Sequence, residues 1–428
     1  MNALMDKIAD KILPFAEVLS KNKYLAAIRN AFVTIMPIII CCSLCTLLNC
    51  VFLGKGNYFD KWFGFQGLDI VNVLGAIGSA GMNIMALLIV YLLAKNLAKE
   101  YKIDEDAVSV TAVVCFLIIT TFGTDAKAGE YIRTYYLGAA GLFTAFIAAF
   151  ATVEIMRRLM KCKALIIKMP DSVPSGIARS FNSMIPVIIT MFIFGIVRFI
   201  TNAVGTPLND LIFNFIQTPL TVIITSPVGI VVIYFLYMLL WGFGIHTGYI
   251  ISQPILEPIF LINLTQNAAA ITAGHAATHI LTKPFTDSLM FMGGAGNMLA
   301  LVLAILIVSK RKDYKQIAKL GFIPSLFNIS EPIMFGLPVV MNPVLIIPMI
   351  LVTLVSLGIG TLATVTGFMG YTYVMTPWTT PPLIGGFLAT GGKIGGLITA
   401  AICLVVSVLI YMPFVKAMDK ELEKEEEK

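Results

Sequence analysis

Long apolar segments decide what this chain can fold into. Of its 428 residues, 58% are hydrophobic and only 13% are charged, whereas a soluble protein is nearer a quarter charged. The apolar segments are about 20 residues long, the length of a helix that crosses the hydrocarbon core of a bilayer. Backbone groups in lipid must find hydrogen-bond partners within the protein, and a helix supplies them. The sequence therefore predicts an all-α polytopic membrane protein.

Ten apolar segments predict about ten transmembrane helices. They lie near residues 31–53, 73–94, 108–123, 136–155, 181–200, 228–245, 249–266, 288–308, 343–366 and 394–414. The 246–287 region is the least regular, and its hairpin-like part either re-enters the membrane or crosses it. Residues 1–30 carry charge throughout and lack a short apolar core, so no cleaved signal peptide is expected.

The basic residues of the loops predict the orientation of the chain. If the N-terminus is cytosolic, the inner loops and termini hold 23 of the 30 Lys and Arg residues, and the outer loops hold 5. Cytosolic loops of membrane proteins carry such an excess. We therefore expect both termini in the cytoplasm, and the tail Asp419–Lys428 as a short solvated end. The net charge of +6 reflects these loops rather than nucleic-acid binding.

The chain divides into two halves. Residues 1–200 contain regularly spaced apolar segments with small residues that suit close helix packing. Residues 201–428 are richer in polar groups and helix breakers. Segment 205–225 has two prolines and no Lys or Arg, which fits an amphipathic element at the membrane interface. We expect an N-terminal membrane domain over 1–200 and a C-terminal membrane domain over 201–428.

One acid lies inside the apolar second half. Glu331 is the only charged residue over 321–373, and an ionisable residue within a membrane indicates a functional site by default. Prolines break helix around it, and Asn328 adds hydrogen-bonding groups. Such a segment is tolerated at membrane depth where it is buried in protein or lines a cavity. Glu331 is then either a ligand contact or a structural acid paired with another helix.

Two further polar clusters accompany this acid. His246 follows an apolar segment within Trp241–Gly248, where glycines let a ligand or another backbone approach closely. A histidine at a helix end is also a common structural hydrogen-bonding group. Trp378 lies between prolines in Tyr371–Pro382 and either anchors the protein at the membrane interface or stacks on a ligand ring. An aromatic face beside hydrogen-bonding groups fits a sugar, which has apolar faces and polar edges.

Other site chemistries find little support in the sequence. Gly293–Asn297 is glycine-rich but lacks the ending of a nucleotide-binding loop, so helix packing or a backbone-lined cavity is expected there. His275 and His279 are spaced to share one helix face, but companion metal ligands are missing. The seven cysteines form neither a metal pattern nor a disulfide framework. We expect no metal and no cofactor.

Several separated motifs occur in the order typical of one family. They are Ala27–Pro37, Met169–Pro174, Thr282–Phe285, Asn328–Ile333, Gly336–Pro338 and Asn342–Pro343. Together they resemble enzyme IIC, the membrane permease subunit of bacterial phosphotransferase systems, and the lactose, cellobiose and diacetylchitobiose branch fits best. The resemblance covers nearly the whole chain. Thr247 and Ala295 depart from residues that are frequent in the family, which leaves the identity of the sugar open.

The resemblance implies a homodimeric, elevator-like transporter of ten-span protomers with re-entrant hairpins. The first half would form the dimer interface and the second half the sugar site. By the same resemblance, His246 and Glu331 match positions that bind sugar hydroxyls. Glu331 also matches a catalytic group that orients or deprotonates the hydroxyl to be phosphorylated. Trp378 matches an aromatic residue that packs on the sugar, and Asn328 is a weaker match.

The resemblance also implies partners. Cys162 lacks a loop that would cradle a phosphate, so we expect the phosphocysteine donor to be a separate cytosolic IIB subunit, with IIA upstream. The basic loops 156–168 and 310–319 would attract that anionic partner. Phosphoryl transfer needs metal and phosphate-cradling groups that this sequence lacks. We therefore expect a transporter subunit rather than a stand-alone enzyme.

The expected function is translocation of a β-linked disaccharide of the cellobiose, diacetylchitobiose or lactose type across the bacterial plasma membrane. Membrane lipid and a second copy of the chain are the other expected partners, and nucleic acid is not. One alternative is a proton-coupled secondary sugar transporter in which Glu331 titrates. Another is a membrane sensor that binds sugar without transporting it.

Overall fold

Helices form most of the described chain. The structure is a computed structural model that describes residues 18, 21–53, 58–64, 69–120, 122–125, 129–132, 134–165, 167, 175–337 and 339–426. Parts of the sequence predictions lie outside the described residues, namely the Met169–Pro174 motif, Pro338, the end of the C-terminal tail and the loop cations Lys55, Lys127, Arg133 and Lys168.

The first half of the described chain contains seven helices and one short hairpin. The helices are α1 (Lys23–Leu47, continued by a π-helical turn, Leu48–Leu53), α2 (Tyr58–Phe63), α3 (Asp69–Met82), α4 (Met85–Glu100), α5 (Glu105–Ile119), α6 (Leu142–Leu159) and α7 (Ser175–Ala203). Strands β1 (Phe122–Asp125) and β2 (Gly129–Ile132) pair antiparallel between α5 and α6. The hairpin is a small addition to the predicted all-α fold class.

The second half contains more breaks. Its helices are α8 (Leu208–Ile212), α9 (Thr218–Thr225), α10 (Pro227–Gly242), α11 (Glu257–Thr272, preceded by a π-helical segment, Gly248–Leu256), α12 (Lys283–Phe285, followed by a π-helical turn, Thr286–Met290), α13 (Met298–Val308), α14 (Lys312–Leu326), α15 (Glu331–Gly336), α16 (Pro343–Val365), α17 (Ile384–Ala389) and α18 (Ile394–Glu426). Prolines, glycines and left-handed residues lie at many of these breaks.

Fewer helices qualify as membrane spans than the ten predicted. Within the described ranges, four helical stretches are long and apolar enough to cross a membrane: Ala139–Leu159, Phe181–Ala203, Pro343–Val365 and Ile394–Asp419. The number rises to six if two bent pairs, Ile70–Met82 with Met85–Glu100 and Leu208–Thr225 with Pro227–Gly242, each count as one span. The helical membrane fold is confirmed, and the count of ten spans stays a prediction.

Two predicted spans are wrong as continuous helices. Residues 73–94 are divided between α3 and α4, which meet at a bend of 41°. The sequence also predicts that residues 288–308 cross as one helix, but α13 begins only at Met298. Gly293, Gly294 and Gly296 have φ angles of +85°, +93° and +74°, and Asn297 has φ of +51°. These left-handed values cannot belong to a right-handed helix, so the chain forms a compact loop there.

The two histidines at 275 and 279 do not share a helix face, so that part of the prediction is also wrong. α11 ends at Thr272, and Gly274 has φ of +77°, which stops a right-handed helix. Residues 275–282 continue without helix. His275 is exposed, whereas His279 is partly buried.

Two asparagines of α11 hold this non-helical segment. Asn263 donates through Nδ2 to the carbonyl of Leu281 at 2.8 Å. One turn later, Asn267 donates to the carbonyls of His279 and Thr372, at 2.7 and 3.0 Å. Its Oδ1 accepts from the backbone N–H groups of residues 278 and 279. The amides therefore supply hydrogen bonds that an unpaired backbone needs in an apolar interior.

We expect Asn267→Ala to destabilise the protein by about 3 kcal/mol, because it leaves several buried backbone groups without partners. Thermal unfolding of the purified protein in detergent would measure the effect. Asn202→Ala, at an exposed position near the end of α7, is the matched control and should change little. Equal stability of the two variants would contradict this role for Asn267.

The predicted solvated tail is wrong at its first residue. Asp419 is 5% exposed. Its carboxylate accepts from the Ser309 hydroxyl at 3.0 Å and from the Lys310 backbone N–H at 2.8 Å. α18 continues past it to Glu426. The end of α18 is therefore tied to the connection between α13 and α14, because a buried carboxylate needs such donors.

Buried side chains form two hydrophobic clusters. One draws its members from residues 224–418, and the other draws most of its members from α1 and α4–α6. α11 contributes to both, with Ile259 and Phe260 in the first cluster and Leu261 and Ile262 in the second. This helix, with the π-helical segment before it, therefore joins the two parts of the protein at the cavity described next.

Candidate functional site

A cavity of about 430 Å³ is lined by α1 on one side and by residues of the second half on the others. α1 contributes an apolar wall of Phe32, Val33, Met36 and Ile39. All four residues that the sequence singled out for ligand contact line the cavity, namely His246, Asn328, Glu331 and Trp378. A concave, mostly apolar site with a few convergent polar groups is the usual form of a small-molecule site.

His246 and Glu331 meet in the wall of this cavity. Nε2 of His246 lies 3.9 Å from Oε1 of Glu331. Their side chains are 38% and 48% exposed, so both are open to a ligand. His246 follows the end of α10, where its ring packs on Trp241 with ring centroids 4.6 Å apart. The Glu331 carboxylate is therefore not locked in a buried ion pair, which favours its interpretation as a ligand contact.

Local breaks place Glu331 at the cavity. α14 ends at Leu326, and Asn328 adopts a left-handed φ of +60° that turns the chain. α15 then begins at Glu331 with Pro332 in its first turn, where proline costs no helical hydrogen bond. The polar segment is thus a turn between two helices, as its prolines predicted.

Asn328 links three parts of the cavity wall. Its Nδ2 donates to the carbonyls of Trp378 and Thr380, at 2.5 and 3.2 Å. Its Oδ1 accepts from the backbone N–H of Gly293 at 2.8 Å. The amide therefore holds the glycine-rich loop and the Trp378 segment against the Glu331 turn, a role that residue type and spacing did not reveal.

The glycine-rich loop lines the cavity with backbone and small side chains, one of the alternatives expected from its sequence. Gly294 and Ala295 face the cavity. Asn297, fully buried, donates to the hydroxyls of Ser356 and Ser407 at 3.0 and 2.9 Å. Its Oδ1 also accepts from the N–H of residue 292. These bonds fix the loop on α16 and α18.

Trp378 lies in a non-helical segment, as its flanking prolines indicated. Its side chain is 37% exposed and lines the cavity. The cavity thus combines an aromatic side chain with the polar pair His246 and Glu331. Groups of this kind suit a neutral polyhydroxyl ligand, because hydroxyls bond to the carboxylate and imidazole while apolar C–H faces pack on the ring.

Three charged residues of the cavity were absent from the predicted site. Lys283 donates through Nζ to both carboxylate oxygens of Asp287, at 2.6 and 2.5 Å, and lies 3.9 Å from Oε1 of Glu257. All three line the cavity. The signal was present in the sequence, because Glu257 is the only Asp, Glu, Lys or Arg over 211–282. Glu257 is therefore, like Glu331, an isolated ionisable residue in an apolar region, which indicates a functional site.

The site contains none of the larger ligand sets that bind metals. Within the part of the chain that the structure describes, no group of three or more His, Cys, Asp or Glu residues is arranged to hold a metal ion. His275 and His279 remain outside the cavity lining.

Comparison with known proteins assigns the family. The family model described as "Phosphotransferase system, EIIC" matches residues 29–353. The chain belongs to this family. Enzyme IIC proteins are the membrane permease subunits of phosphotransferase systems, and the phosphoryl transfer itself is carried by IIA and IIB components. The resemblance seen in the motifs is thereby confirmed, as is the expectation of a transporter subunit rather than an enzyme.

This enzyme IIC protein is similar along its whole length to individual family members. It is 37% identical over 433 residues to the oligo-beta-mannoside-specific EIIC component of Bacillus subtilis (strain 168), covering 99% of this chain and 96% of that one. It is 33% identical to the cellobiose-specific EIIC component of Geobacillus stearothermophilus, covering 100% and 97%. The crystal structure of ChbC, the IIC component of an N,N'-diacetylchitobiose-specific system, matches with a TM-score of 0.89, 33% identity, and coverage of 97% and 98%.

Proposed function

We propose that this enzyme IIC protein translocates a β-linked disaccharide of the cellobiose, diacetylchitobiose or lactose type across the bacterial plasma membrane, for phosphorylation by a separate IIB subunit supplied by IIA. The observation that carries the proposal is the convergence of His246 and Glu331, 3.9 Å apart, beside Trp378 in one cavity. The relatives named for oligo-β-mannoside, cellobiose and diacetylchitobiose support a β-linked sugar.

Each site residue has a proposed role. His246 and Glu331 bind hydroxyls of the sugar, and Glu331 also orients or deprotonates the hydroxyl that receives the phosphoryl group. Trp378 packs on the apolar face of a sugar ring. Asn328, proposed from the sequence as a weaker ligand, supports the site mainly through its three hydrogen bonds to the cavity wall.

The larger organisation is also proposed. Residues 1–200 act as the scaffold of a homodimer, residues 201–428 carry the sugar in an elevator-like movement, and both termini face the cytoplasm. Two features support this division: the two hydrophobic clusters, and α7, which exposes apolar side chains such as Phe192 and Phe199 at 70% and 73%. Such a face needs lipid or a second protomer to cover it.

The basic segment 310–319 is a proposed docking surface for the IIB subunit. The sequence predicts a loop there, but residues 312–319 belong to α14. Lys310, Lys312 and Lys319 are exposed there. Arg311 donates to Asp313 at 2.8 Å and holds the pKa of that carboxyl below its usual value. Even with Asp313 ionised, the segment keeps a positive charge that attracts an anionic partner. The basic segment 156–168, which begins in the last turn of α6, is proposed to act in the same way.

Uptake into vesicles tests the proposed function. The purified protein is first screened by calorimetry against cellobiose, diacetylchitobiose and lactose, and then reconstituted. We expect the bound sugar to appear inside as its phosphate, and only when phosphorylated IIB is present. Unmodified sugar that accumulates under a pH gradient without IIB would identify a proton-coupled transporter instead. Binding without any uptake would identify a sensor.

A further inference from the structure

The cavity has a second polar region besides His246 and Glu331. It consists of Gln253, Glu257, Lys283 and Asp287, which we call the Glu257 subsite. Gln253 and Glu257 are four residues apart in a continuous helical stretch and therefore share one face. Lys283 lies in α12 and Asp287 in the π-helical turn after it. Nζ of Lys283 is 3.9 Å from Oε1 of Glu257, so this segment lies against that face.

The two carboxylates of the Glu257 subsite differ in their contacts with Lys283. Nζ of Lys283 donates hydrogen bonds to Asp287, whereas it lies 3.9 Å from Oε1 of Glu257. Among the described residues, no hydrogen bond to the Glu257 carboxylate is present, and its side chain is 16% exposed, toward the cavity. A carboxylate at such low exposure is costly unless it accepts hydrogen bonds. Its oxygens are therefore available to a ligand.

Neighbouring groups of the cavity wall are unsatisfied too. Within the described chain, Oε1 of Gln253 has no hydrogen-bond partner, and neither does Nε1 of Trp241, a residue that is 3% exposed. Both residues line the cavity. Buried polar groups in native proteins nearly always have partners, supplied by protein, water or ligand. Acceptors and donors left open around one cavity indicate a ligand with several hydroxyl groups.

The two polar regions are separated along the chain by a helical stretch. Ten residues lead from Thr247, next to His246, to Glu257, and nine of them form the π-helical segment Gly248–Leu256, which corresponds to about two helical turns. A single pyranose ring that contacts His246 and Glu331 leaves groups at the far end of this stretch unused. A second linked ring extends the ligand toward them.

We propose that the Glu257 subsite binds the hydroxyl groups of the second sugar ring, the ring that is not held by His246 and Glu331. The inference rests on the proposed function and adds the residue that makes the site select a disaccharide over a single sugar. Glu257 accepts hydrogen bonds from that ring, while Lys283 orients the carboxylate and prevents two neighbouring acids from repelling each other. With two carboxylates and one ammonium group, the subsite suits a neutral polyhydroxyl ligand better than an anion.

Calorimetry with two ligands tests the subsite. Cellobiose and methyl β-glucoside share one β-glucosyl ring and differ in the second ring. We expect Glu257→Gln to weaken cellobiose binding about tenfold, as for loss of one charge-assisted hydrogen bond, and to leave methyl β-glucoside binding unchanged. Glu331→Gln should weaken both. Glu154→Gln, a similarly buried acid that does not line the cavity, is the matched control.

The outcomes separate this inference from the proposed function. If the folded Glu257→Gln protein binds cellobiose as the wild type does, or loses both ligands equally, the subsite is wrong. If the wild type binds none of cellobiose, diacetylchitobiose and lactose, the proposed function fails instead. Diacetylchitobiose or lactose, with the matching methyl glycoside, replaces the first pair if it is the preferred sugar.

A double variant decides the case in which the single-ring ligand binds too weakly to measure. Glu257→Gln and Glu331→Gln should lower disaccharide affinity additively, because they contact different rings and share no partner. A clearly non-additive loss would overturn the assignment to separate rings. Thermal unfolding of each variant shows whether a loss comes from the fold.

Discussion

Glu331→Gln is expected to abolish phosphorylation-coupled uptake while the protein stays folded. The substitution removes a charge-assisted acceptor of a sugar hydroxyl, worth about 1.5 kcal/mol or roughly tenfold in affinity. It also removes the group proposed to orient or deprotonate the phosphoacceptor, and loss of such a group typically lowers a rate by about 10² to 10⁴. Calorimetry would measure binding, and phosphorylated sugar formed with IIB would measure the rate.

The structure offers a control for this variant. Glu100→Gln changes an exposed acid at the end of α4, away from the cavity lining, and should leave binding and uptake unchanged. A Glu331→Gln protein that unfolds at a much lower temperature than wild type would favour the structural interpretation of the acid. A protein that binds weakly but is phosphorylated at the wild-type rate would restrict Glu331 to hydroxyl binding.

Gly294→Ala is expected to destabilise the protein by about 3 kcal/mol and to weaken sugar binding, since backbone strain and overpacking each cost a few kcal/mol at most. Gly294 has φ of +93°, a value that residues with a side chain rarely adopt. A Cβ there would lie 2.6 Å from Cβ and 2.7 Å from Oγ of Ser330, next to Glu331. The new methyl group would therefore push the Glu331 turn away from the loop.

Gly358→Ala is the matched control, because a Cβ at this position in α16 meets nothing within 4 Å. Alanine in a helix is favoured over glycine by up to about 1 kcal/mol, so this variant should be as stable as the wild type or more so. Thermal unfolding and calorimetry on both variants would measure the contrast. Equal stability would show that the loop relaxes around Gly294 without cost.

The parts of the site that carry local signals could be predicted from the sequence. Glu331 stands out as an acid in an apolar region, and the prolines and glycines near it, His246 and Trp378 predict breaks. What could not be predicted is which breaks meet, because the approach of residues 293, 328 and 378 depends on tertiary packing. The three hydrogen bonds of Asn328 exist only through that packing.

The fold, like the site, was predictable only where a local sequence signal exists. Apolar length predicted a helical membrane protein, but not the loop at 293–297 or the end of α11, since both depend on left-handed residues inside apolar sequence. Glu257 was missed for another reason, as no proline or glycine motif surrounds it to suggest a site. Its isolation among 72 residues without another Asp, Glu, Lys or Arg, over 211–282, was the available signal.

The asparagines of α11 have a consequence for how this part of the sequence can change during evolution. Asn263 and Asn267 hold the 278–281 segment through hydrogen bonds to its main-chain groups alone. The side chains of residues 278 and 279, exposed and partly buried, are therefore not needed to hold the backbone, whereas Ile280 and Leu281 pack in the hydrophobic cluster of the second half. Substitutions at 278 and 279 can accumulate without displacing the segment that leads to Lys283, which lines the cavity. Related permeases can therefore vary at these two positions while the backbone at the sugar site stays in place.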